Sequence, residues 1–318
     1  MTAMLLLCSC EKEIRFTGRY EGEKLVLYAI ANPDTLLCVD LHRSKFILDS
    51  SSVSVLDPLR GATVTGRAGG REIVFHQENT KSGLYVSDYS PSVSETIELY
   101  ASYGGFEDVR ARTVVPKPAD FSIDSYSLKP IETDKTARVH YRICFSVTLR
   151  DNPDERNFYR ISILRKQVGG WMAEVPHSND DIFQGYRSGI DAIVDYFEGK
   201  TDVSLSGIID DRAFDGRNCQ FEIWIEDYLV TEESPLSGGS DGNGLDPLTA
   251  SFDPSRYAVE IDTASEDLFM YSQSVASYNR YEDFNGLFGE PVSIFNNVTG
   301  GIGCFGALTP CIIPLMSK

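Results

Sequence analysis

The sequence predicts a mainly β protein, in which a β-sandwich is followed by a larger β-rich domain with one or two helices. Three observations support this: apolar and polar residues alternate in many short segments, turn-forming residues separate those segments, and only two stretches have helical spacing. A length of 318 residues predicts two domains. The hydrophobic content of 42% and charged content of 24% are those of an ordinary globular protein.

The clearest strand runs from His140 to Leu149, where apolar side chains alternate with polar ones throughout. This period predicts a strand that is buried on one face. Segments rich in β-branched and aromatic residues predict further strands at Leu25 to Ile30, Leu36 to Leu41, Arg71 to His76, Leu84 to Tyr89, Glu95 to Tyr103, Phe158 to Leu164 and Phe221 to Val230. Short strands at this spacing indicate a β-sandwich rather than alternating βαβ units.

The first domain is predicted to cover residues 11–115 and the second residues 116–318, because Val115-Pro-Lys-Pro118 is typical of a stiff linker. In the second domain, Thr263-Ala-Ser-Glu266 has the spacing of a capping box. Apolar residues then recur at helical intervals, which predicts a helix near 264–283. A weaker helix is predicted at 188–198, and the Gly- and Ser-rich stretch 234–247 predicts a long exposed loop.

The chain is strongly acidic, with 29 basic and 47 acidic residues and a formal charge of -18. Phosphate backbones would repel such a chain, so nucleic acid is excluded as a partner. Residues 178–318 contain 7 basic and 24 acidic residues, so they carry -17 of the total charge. The acidity therefore belongs to the second half, which is where we expect function to lie.

The N-terminus resembles a bacterial lipoprotein signal. Leu7-Cys-Ser-Cys10 is similar to a lipobox, in which the final cysteine is acylated and becomes the first residue of the mature protein. The apolar run from Ala3 to Leu7 is shorter than the roughly 7–15 residues of a normal signal, so we expect the true start to lie upstream. A cytosolic protein with a hydrophobic stub and a Cys8-x-Cys10 metal pair are the alternatives. Acyl chains on Cys10 would anchor the protein without a spanning helix.

Five cysteines follow Cys10, and an odd number argues against a complete disulfide framework. Cys304 and Cys311 are close enough in sequence for a local disulfide in an oxidising compartment. The other three, which lie in predicted strands, are expected to be buried free thiols: Cys38, Cys144 and Cys219. No CxxC pair occurs and the histidines are scattered, so the sequence predicts neither a zinc site nor a cofactor.

No arrangement in the sequence predicts a catalytic centre. Asp241, Asn243 and Asp246 alternate with glycines in the manner of a calcium loop, but the distal Glu ligand is missing, and an acidic surface loop is the alternative. The acid pairs are expected to be solvated: Asp180-Asp181, Asp210-Asp211 and Glu232-Glu233. The Gly-rich run at 300–303 predicts close backbone packing or a bulge.

Two tryptophans suggest a further hypothesis. Trp171 and Trp224 could form a stacking platform for a sugar ligand, whereas packing in the core is the alternative.

Several segments, taken in order, resemble a lipoprotein family of Bacteroidetes outer membranes known as domain of unknown function 4249. They are Cys10-Glu-Lys-Glu-Ile, Lys24-Leu-Val-Leu-Tyr, Gly61-Ala-Thr-Val-Thr, Gly83-Leu-Tyr-Val, Phe121-Ser-Ile-Asp-Ser, Asn157-Phe-Tyr-Arg-Ile and the ending from Glu290 to Ala307. The resemblance implies an immunoglobulin-like N-terminal sandwich and a larger β-rich C-terminal domain. It also implies a lipid-anchored outer-membrane protein, often encoded beside TonB-dependent receptors. No activity comes with the resemblance.

Three hypotheses follow for function. The first is a non-enzymatic lipoprotein that serves as an accessory or ligand-binding partner of a TonB-dependent uptake system, more often on the cell surface than on the periplasmic face. The second is a glycan- or peptide-degrading enzyme with an acidic site in the C-terminal domain. The third is a structural or adhesion module.

Overall fold

The computed structural model describes residues 22–44, 57–78, 83–133, 138–186, 202–212, 216–230, 252–283 and 293–315. In these residues the protein is mainly β, with one α-helix and two short 3-10 helices at Asp181–Tyr186 and Pro254–Arg256. The predicted fold class is confirmed. Each of the eight predicted strand segments overlaps an observed strand.

Eight strands are formed by the described residues in the first part of the chain. They are β1 (Leu25–Ala31), β2 (Cys38–Arg43), β3 (Asp57–Pro58), β4 (Thr63–Ala68), β5 (Arg71–Gln77), β6 (Leu84–Ser87), β7 (Thr96–Ser102) and β8 (Val109–Val114).

The second half contains eleven further strands and the helix α1. They are β9 (Asp120–Thr133), β10 (Arg138–Arg150), β11 (Phe158–Gln167), β12 (Gly170–Glu174), β13 (His177–Ser178), β14 (Val203–Ser204), β15 (Ile209–Asp210), β16 (Asn218–Val230), β17 (Tyr257–Ala264), α1 (Glu266–Asp283), β18 (Ile302–Thr309) and β19 (Ile312–Pro314).

These strands form two sheets. A five-stranded sheet has the order β14-β13-β16-β10-β9, and a long sheet has the order β12-β11-β17-β18-β1-β2-β6-β5-β4-β7-β8. Inward side chains of the five-stranded sheet, such as Phe145 and Ile223, share a core with Ile163 and Val259 from the long sheet. The two sheets therefore pack face to face as a sandwich in the second half of the protein.

The remaining part of the long sheet, from β18 to β8, wraps around a second core. Leu27, Leu99 and Phe305 belong to this core. An isolated bridge between Arg110 and Thr299 joins β8 to the segment before β18. The first sandwich thus contains a strand from the far end of the chain, because β18 pairs in parallel with β1 and contributes Phe305 and Ala307 to the first core. The division at residue 115 stays a prediction, and it did not include this strand.

Close backbone packing, as predicted for the glycine run, makes this parallel pair possible. A Cβ on Gly303 would lie too near the Leu27 carbonyl oxygen, and Gly303 has a φ of +132°. A Cβ on Gly301 would similarly meet the Leu25 carbonyl. Only glycine fits such positions without displacing the neighbouring strand.

The register also fixes the direction of the second sandwich. Ala264 of β17 pairs with Leu308 near the end of β18, and Tyr159 of β11 pairs with Thr263. Strand β11 therefore runs away from the first sandwich. At about 3.3 Å per residue, Ile163 of β11 lies roughly 40 Å along the strand direction from the start of β1. The far end of β11 and the start of β1 are therefore well separated along the long sheet.

Helix α1 lies where the sequence predicts it, but the predicted N-cap residue was wrong. Ser265 Oγ accepts a hydrogen bond from Leu268 N, and the helix begins at Glu266. Thr263, the predicted cap, lies in β17 and is buried. The strand pairs with β18 through Ala264, so the chain remains extended past the predicted cap.

Candidate ligand-binding cavity

The outer face of the five-stranded sheet carries polar and aromatic side chains. In β10, Tyr141 and Ile143 point into the core, so the alternation turns His140 and Arg142 outward. The same alternation in β16 turns Trp224 and Glu226 outward. The β10–β16 register places Arg142 directly opposite Glu226.

Trp224 occupies the centre of this face. It pairs with Cys144 of β10 on one side and with His177 of β13 on the other. The guanidinium carbon of Arg142 lies 3.4 Å from the centroid of the Trp224 ring, and the His177 ring stacks on it at 4.7 Å with an interplanar angle of 19°. Cation–π attraction and ring stacking together hold these three side chains in one arrangement.

Carboxylates hold the two planar groups that stack on Trp224. Asp202 Oδ2 lies 2.9 Å from His177 Nδ1, and Glu226 Oε1 lies 3.1 Å from an Arg142 guanidinium nitrogen. The other oxygen of Glu226 lies 3.0 Å from His140 Nε2. The outer face therefore has few side chains that can turn without breaking an ion pair.

A cavity of about 510 Å³ lies beside Trp224. Its size is within the range of about 300–1,000 Å³ that is usual for small-molecule sites. The described polar residues that line it are Arg142, Glu174, His177, Asp202, Ser204 and Glu226. Val175 and Trp224 supply its apolar side chains, and Ile225, whose side chain lies in the core, completes the lining. The cavity lies where the chain crosses from the long sheet to the five-stranded sheet, between β12 and β13.

Behind the cavity, a chain of polar contacts connects Glu174 to the core. Arg165 Nε lies 2.5 Å from Glu174 Oε1, and another Arg165 nitrogen donates to Asp227 Oδ1 at 2.7 Å. Tyr257 donates its hydroxyl hydrogen to Asp227 Oδ2 at 2.6 Å and contacts the Tyr141 hydroxyl at 2.8 Å. These contacts fix Glu174 in the cavity wall.

The pKa values in this chain follow from burial and charge. Burial lowers the pKa of Arg165, but the carboxylates of Asp227 and Glu174 raise it more, so it is raised overall. Burial raises the pKa of Tyr141 to about 12. Burial and the bond to Asp227 raise the pKa of Tyr257 strongly as well. At neutral pH both phenols are therefore protonated and Arg165 is charged.

One known protein family matches most of the chain. A family model described as Domain of unknown function (DUF4249) matches residues 11–310. The chain belongs to this family. The predicted resemblance to DUF4249 is thereby confirmed, whereas the lipoprotein character and the bacterial source stay predictions. Comparison with curated proteins and with solved structures gives no match. Among the described residues of this DUF4249 chain, no helix is both long and apolar enough to cross a membrane.

The structure places the predicted site residues of this DUF4249 chain as follows. Cys10 and the candidate calcium residues Asp241, Asn243 and Asp246 lie outside the described residues, as do the predicted helix at 188–198 and the loop at 234–247. Within the described ranges, no group of three His, Cys, Asp or Glu side chains is arranged to hold a metal ion.

Cys304 and Cys311, whose spacing in the sequence allows a local disulfide, are both free thiols in this structure. They have different surroundings. Cys304 lies under α1, with its sulfur 3.9 Å from the Asp267 carbonyl oxygen, whereas Cys311 packs against the core of the second sandwich. Cys144 and Cys219 are buried free thiols, as predicted, while Cys38 is partly buried.

The prediction that Asp210 and Asp211 are solvated was wrong, because both are buried. Asp210 forms ion pairs with Arg156 and Arg212, and Asp211 accepts a hydrogen bond from the backbone of Asn157. The adjacent carboxylates bind different partners, so the chain compensates the cost of burying both charges.

The tryptophans do not form one platform. Trp224 is only 5% exposed and lies within the stack of Arg142 and His177, whereas Trp171 is 46% exposed on the edge strand β12. Sequence reasoning identified Trp224 but missed its partners in the cavity. The alternation of polar and core residues along β10 could have predicted that Arg142 lies on the outer face. No pattern in the sequence predicts that Glu174, His177 and Asp202 lie beside it.

Proposed function

We propose that this DUF4249 protein is a lipid-anchored outer-membrane protein that binds a small ligand in the cavity beside Trp224. It acts as a non-enzymatic accessory of a TonB-dependent uptake system. The observation that supports the binding role most directly is the cavity, whose polar walls are fixed by the Arg142–Glu226 ion pair and the contact between His177 and Asp202 before any ligand arrives. Such preorganisation favours binding, because fewer side chains lose freedom when the ligand enters.

The geometry suits a protein that is anchored at its N-terminus. Cys10 precedes Leu25, the first residue of β1, by 15 residues. The cavity belongs to the second sandwich, roughly 40 Å along the strand direction from Leu25. We propose that the first sandwich lies nearer the membrane than the second and that the cavity faces away from the membrane. We place this face at the cell surface.

The lining supports binding rather than catalysis. General acid–base or nucleophilic chemistry needs a base that is free to take a proton from the reacting group. Glu174 and Glu226 instead contact the guanidinium groups of Arg165 and Arg142. Asp202 contacts His177, which is a pairing that general bases use, but the His177 ring is stacked on Trp224. Hydrolysis of a bound ligand by the purified protein would contradict the non-enzymatic role.

Fractionation of cells that express the protein tests the anchor. The wild-type protein is expected in the outer membrane with a TonB-dependent receptor in the same detergent extract, and Cys10→Ala is expected in the soluble fraction. Cys8→Ala is the matched control, because it changes a neighbouring cysteine and should keep the protein in the membrane. Retention of Cys10→Ala in the membrane would contradict acylation at Cys10.

A further inference from the structure

Each charged side chain described in the cavity lining already has a polar partner, although the lining contains three carboxylates and one guanidinium. Glu226 contacts both Arg142 and His140, and Glu174 contacts Arg165, which also binds Asp227. An anionic ligand would approach three carboxylates, and a cationic ligand would have to displace Arg142 to reach Glu226. Either ion would have to separate an existing pair to find its own partner, which makes charged ligands unfavourable.

The same groups keep unused capacity for hydrogen bonds with a neutral ligand. A carboxylate offers about four acceptor positions and a guanidinium five N–H donors. The described contacts of Glu226 and Arg142 use only part of these. Ser204, which is exposed at the cavity wall, can both donate and accept. The cavity therefore presents donors and acceptors side by side.

The close spacing of these groups favours one class of neutral ligand. Six polar side chains surround a single cavity of about 510 Å³. A peptide offers one donor and one acceptor for each residue, about 3.8 Å apart along the chain. A polyol carries a hydroxyl that is both donor and acceptor on each successive carbon atom, so it matches a denser array.

From this we infer that the cavity binds a neutral, hydroxyl-rich ligand, namely a saccharide. The inference rests on the proposed binding function and specifies the ligand class. Arg142 and His177 occupy the ring faces of Trp224, so a saccharide cannot stack on the indole. It is instead recognised through hydrogen bonds with the planar polar side chains of the lining. Val175, which is half exposed, supplies an apolar contact for the carbon atoms of the ring.

The two tryptophans give a site-resolved measurement. In the full chain carrying Cys10→Ala and labelled with ¹⁵N, the indole N–H signals belong to Trp171 and Trp224, and Trp171→Phe assigns them. The Trp224 N–H is buried without an acceptor among the described residues, so its chemical shift should respond to changes in the surrounding stack. Trp171 lies outside the described lining of the cavity and serves as the internal reference.

The probes are a panel of neutral mono- and disaccharides, the zwitterion glycine with the dipeptide alanyl-alanine, and inorganic phosphate. We expect a saccharide to shift the Trp224 signal saturably while the Trp171 signal stays in place. Glu226→Gln should weaken that binding about tenfold, because it removes a charged acceptor. Ser204→Ala should weaken it severalfold, and it changes an exposed side chain that the fold does not need.

Glu222→Gln is the matched control. Glu222 lies on the same face of β16 as Glu226 and pairs with Lys129 at 2.8 Å, but it does not line the cavity. Its substitution should change the affinity less than twofold. An equal loss in Glu222→Gln and Glu226→Gln would overturn the site.

The remaining outcomes separate the ligand class from the binding function. If glycine, alanyl-alanine or phosphate shifts the Trp224 signal and no saccharide does, the saccharide inference is overturned while ligand binding stands. If no probe of any class shifts it, both the inference and the proposed binding function fail.

Discussion

Phe305→Ala tests whether the C-terminal strand β18 belongs to the first core. Phe305 is fully buried, it pairs with Ala29 of β1, and its backbone N–H and C=O are both bonded by the side chain of Asn297. A buried aromatic side chain removes about 150–250 Å² from water. At about 25 cal/mol per Å² this corresponds to about 4–6 kcal/mol as an upper bound.

Alanine keeps part of that area, and measured Phe→Ala substitutions in cores cost about 3–5 kcal/mol. We therefore expect Phe305→Ala to lower the free energy of unfolding by about 4 kcal/mol. Urea unfolding followed by far-ultraviolet circular dichroism measures this loss. Ile312→Ala is the control, because Ile312 lies on β19 with an exposed side chain and should cost about 0.5 kcal/mol or less. A loss below about 1 kcal/mol in Phe305→Ala would refute the insertion of β18 into the first core.

Three further predictions concern buried groups. Burial raises the pKa of Asp262 despite its ion pair with Arg160, so the folded state binds this proton more tightly than the unfolded state. Ionisation of Asp262 therefore lowers the free energy of unfolding at pH values above the pKa of Asp262 in the folded protein. This loss disappears as the pH falls through that pKa. Asp262→Asn should flatten the stability profile between neutral pH and pH 4 in urea titrations, and an unchanged profile would contradict this account. Burial, with a smaller effect of Asp267, raises the pKa of Cys304 to about 12. A thiol reagent at about pH 8 should modify Cys304 in urea but not in the folded protein. Mass spectrometry of the labelled peptide measures this, and modification of Cys304 in the folded protein would contradict its burial under α1. Tyr257→Phe removes the hydroxyl that binds the buried Asp227 and should lower the free energy of unfolding by about 1–3 kcal/mol in urea, whereas no measurable loss would mean that the bond contributes little.

Much of the strand structure was predictable because its signal is local. The alternation from His140 to Leu149 predicted a half-buried strand, and β10 places Tyr141, Ile143 and Phe145 in the core. The helix was predictable for the same reason, since spacing along the sequence sets which side chains share a face. The position of its cap was not, because pairing between β17 and β18 decides where the extended chain ends.

Strand β18 was not predicted, and its surroundings explain why. Its residues are buried almost throughout, so they do not alternate between apolar and polar. Its partner in the first sandwich, β1, lies at the other end of the sequence. A parallel pair between two distant segments has no local sequence signal, although the glycines at 301 and 303 did indicate close backbone packing.

The sequence by itself determined the mainly β class, the positions of eight of the nineteen described strands, the described α-helix and the family. Each of these depends on residue order or on a period of two or 3.6 residues. Only the tertiary structure decided that Asp210 and Asp211 are buried, that β18 completes the first sandwich, and that a polar cavity exists. The cavity residues come from separate strands and from the segment before β14. Sheet order and register bring them together, and both depend on pairing between segments that are far apart in the chain.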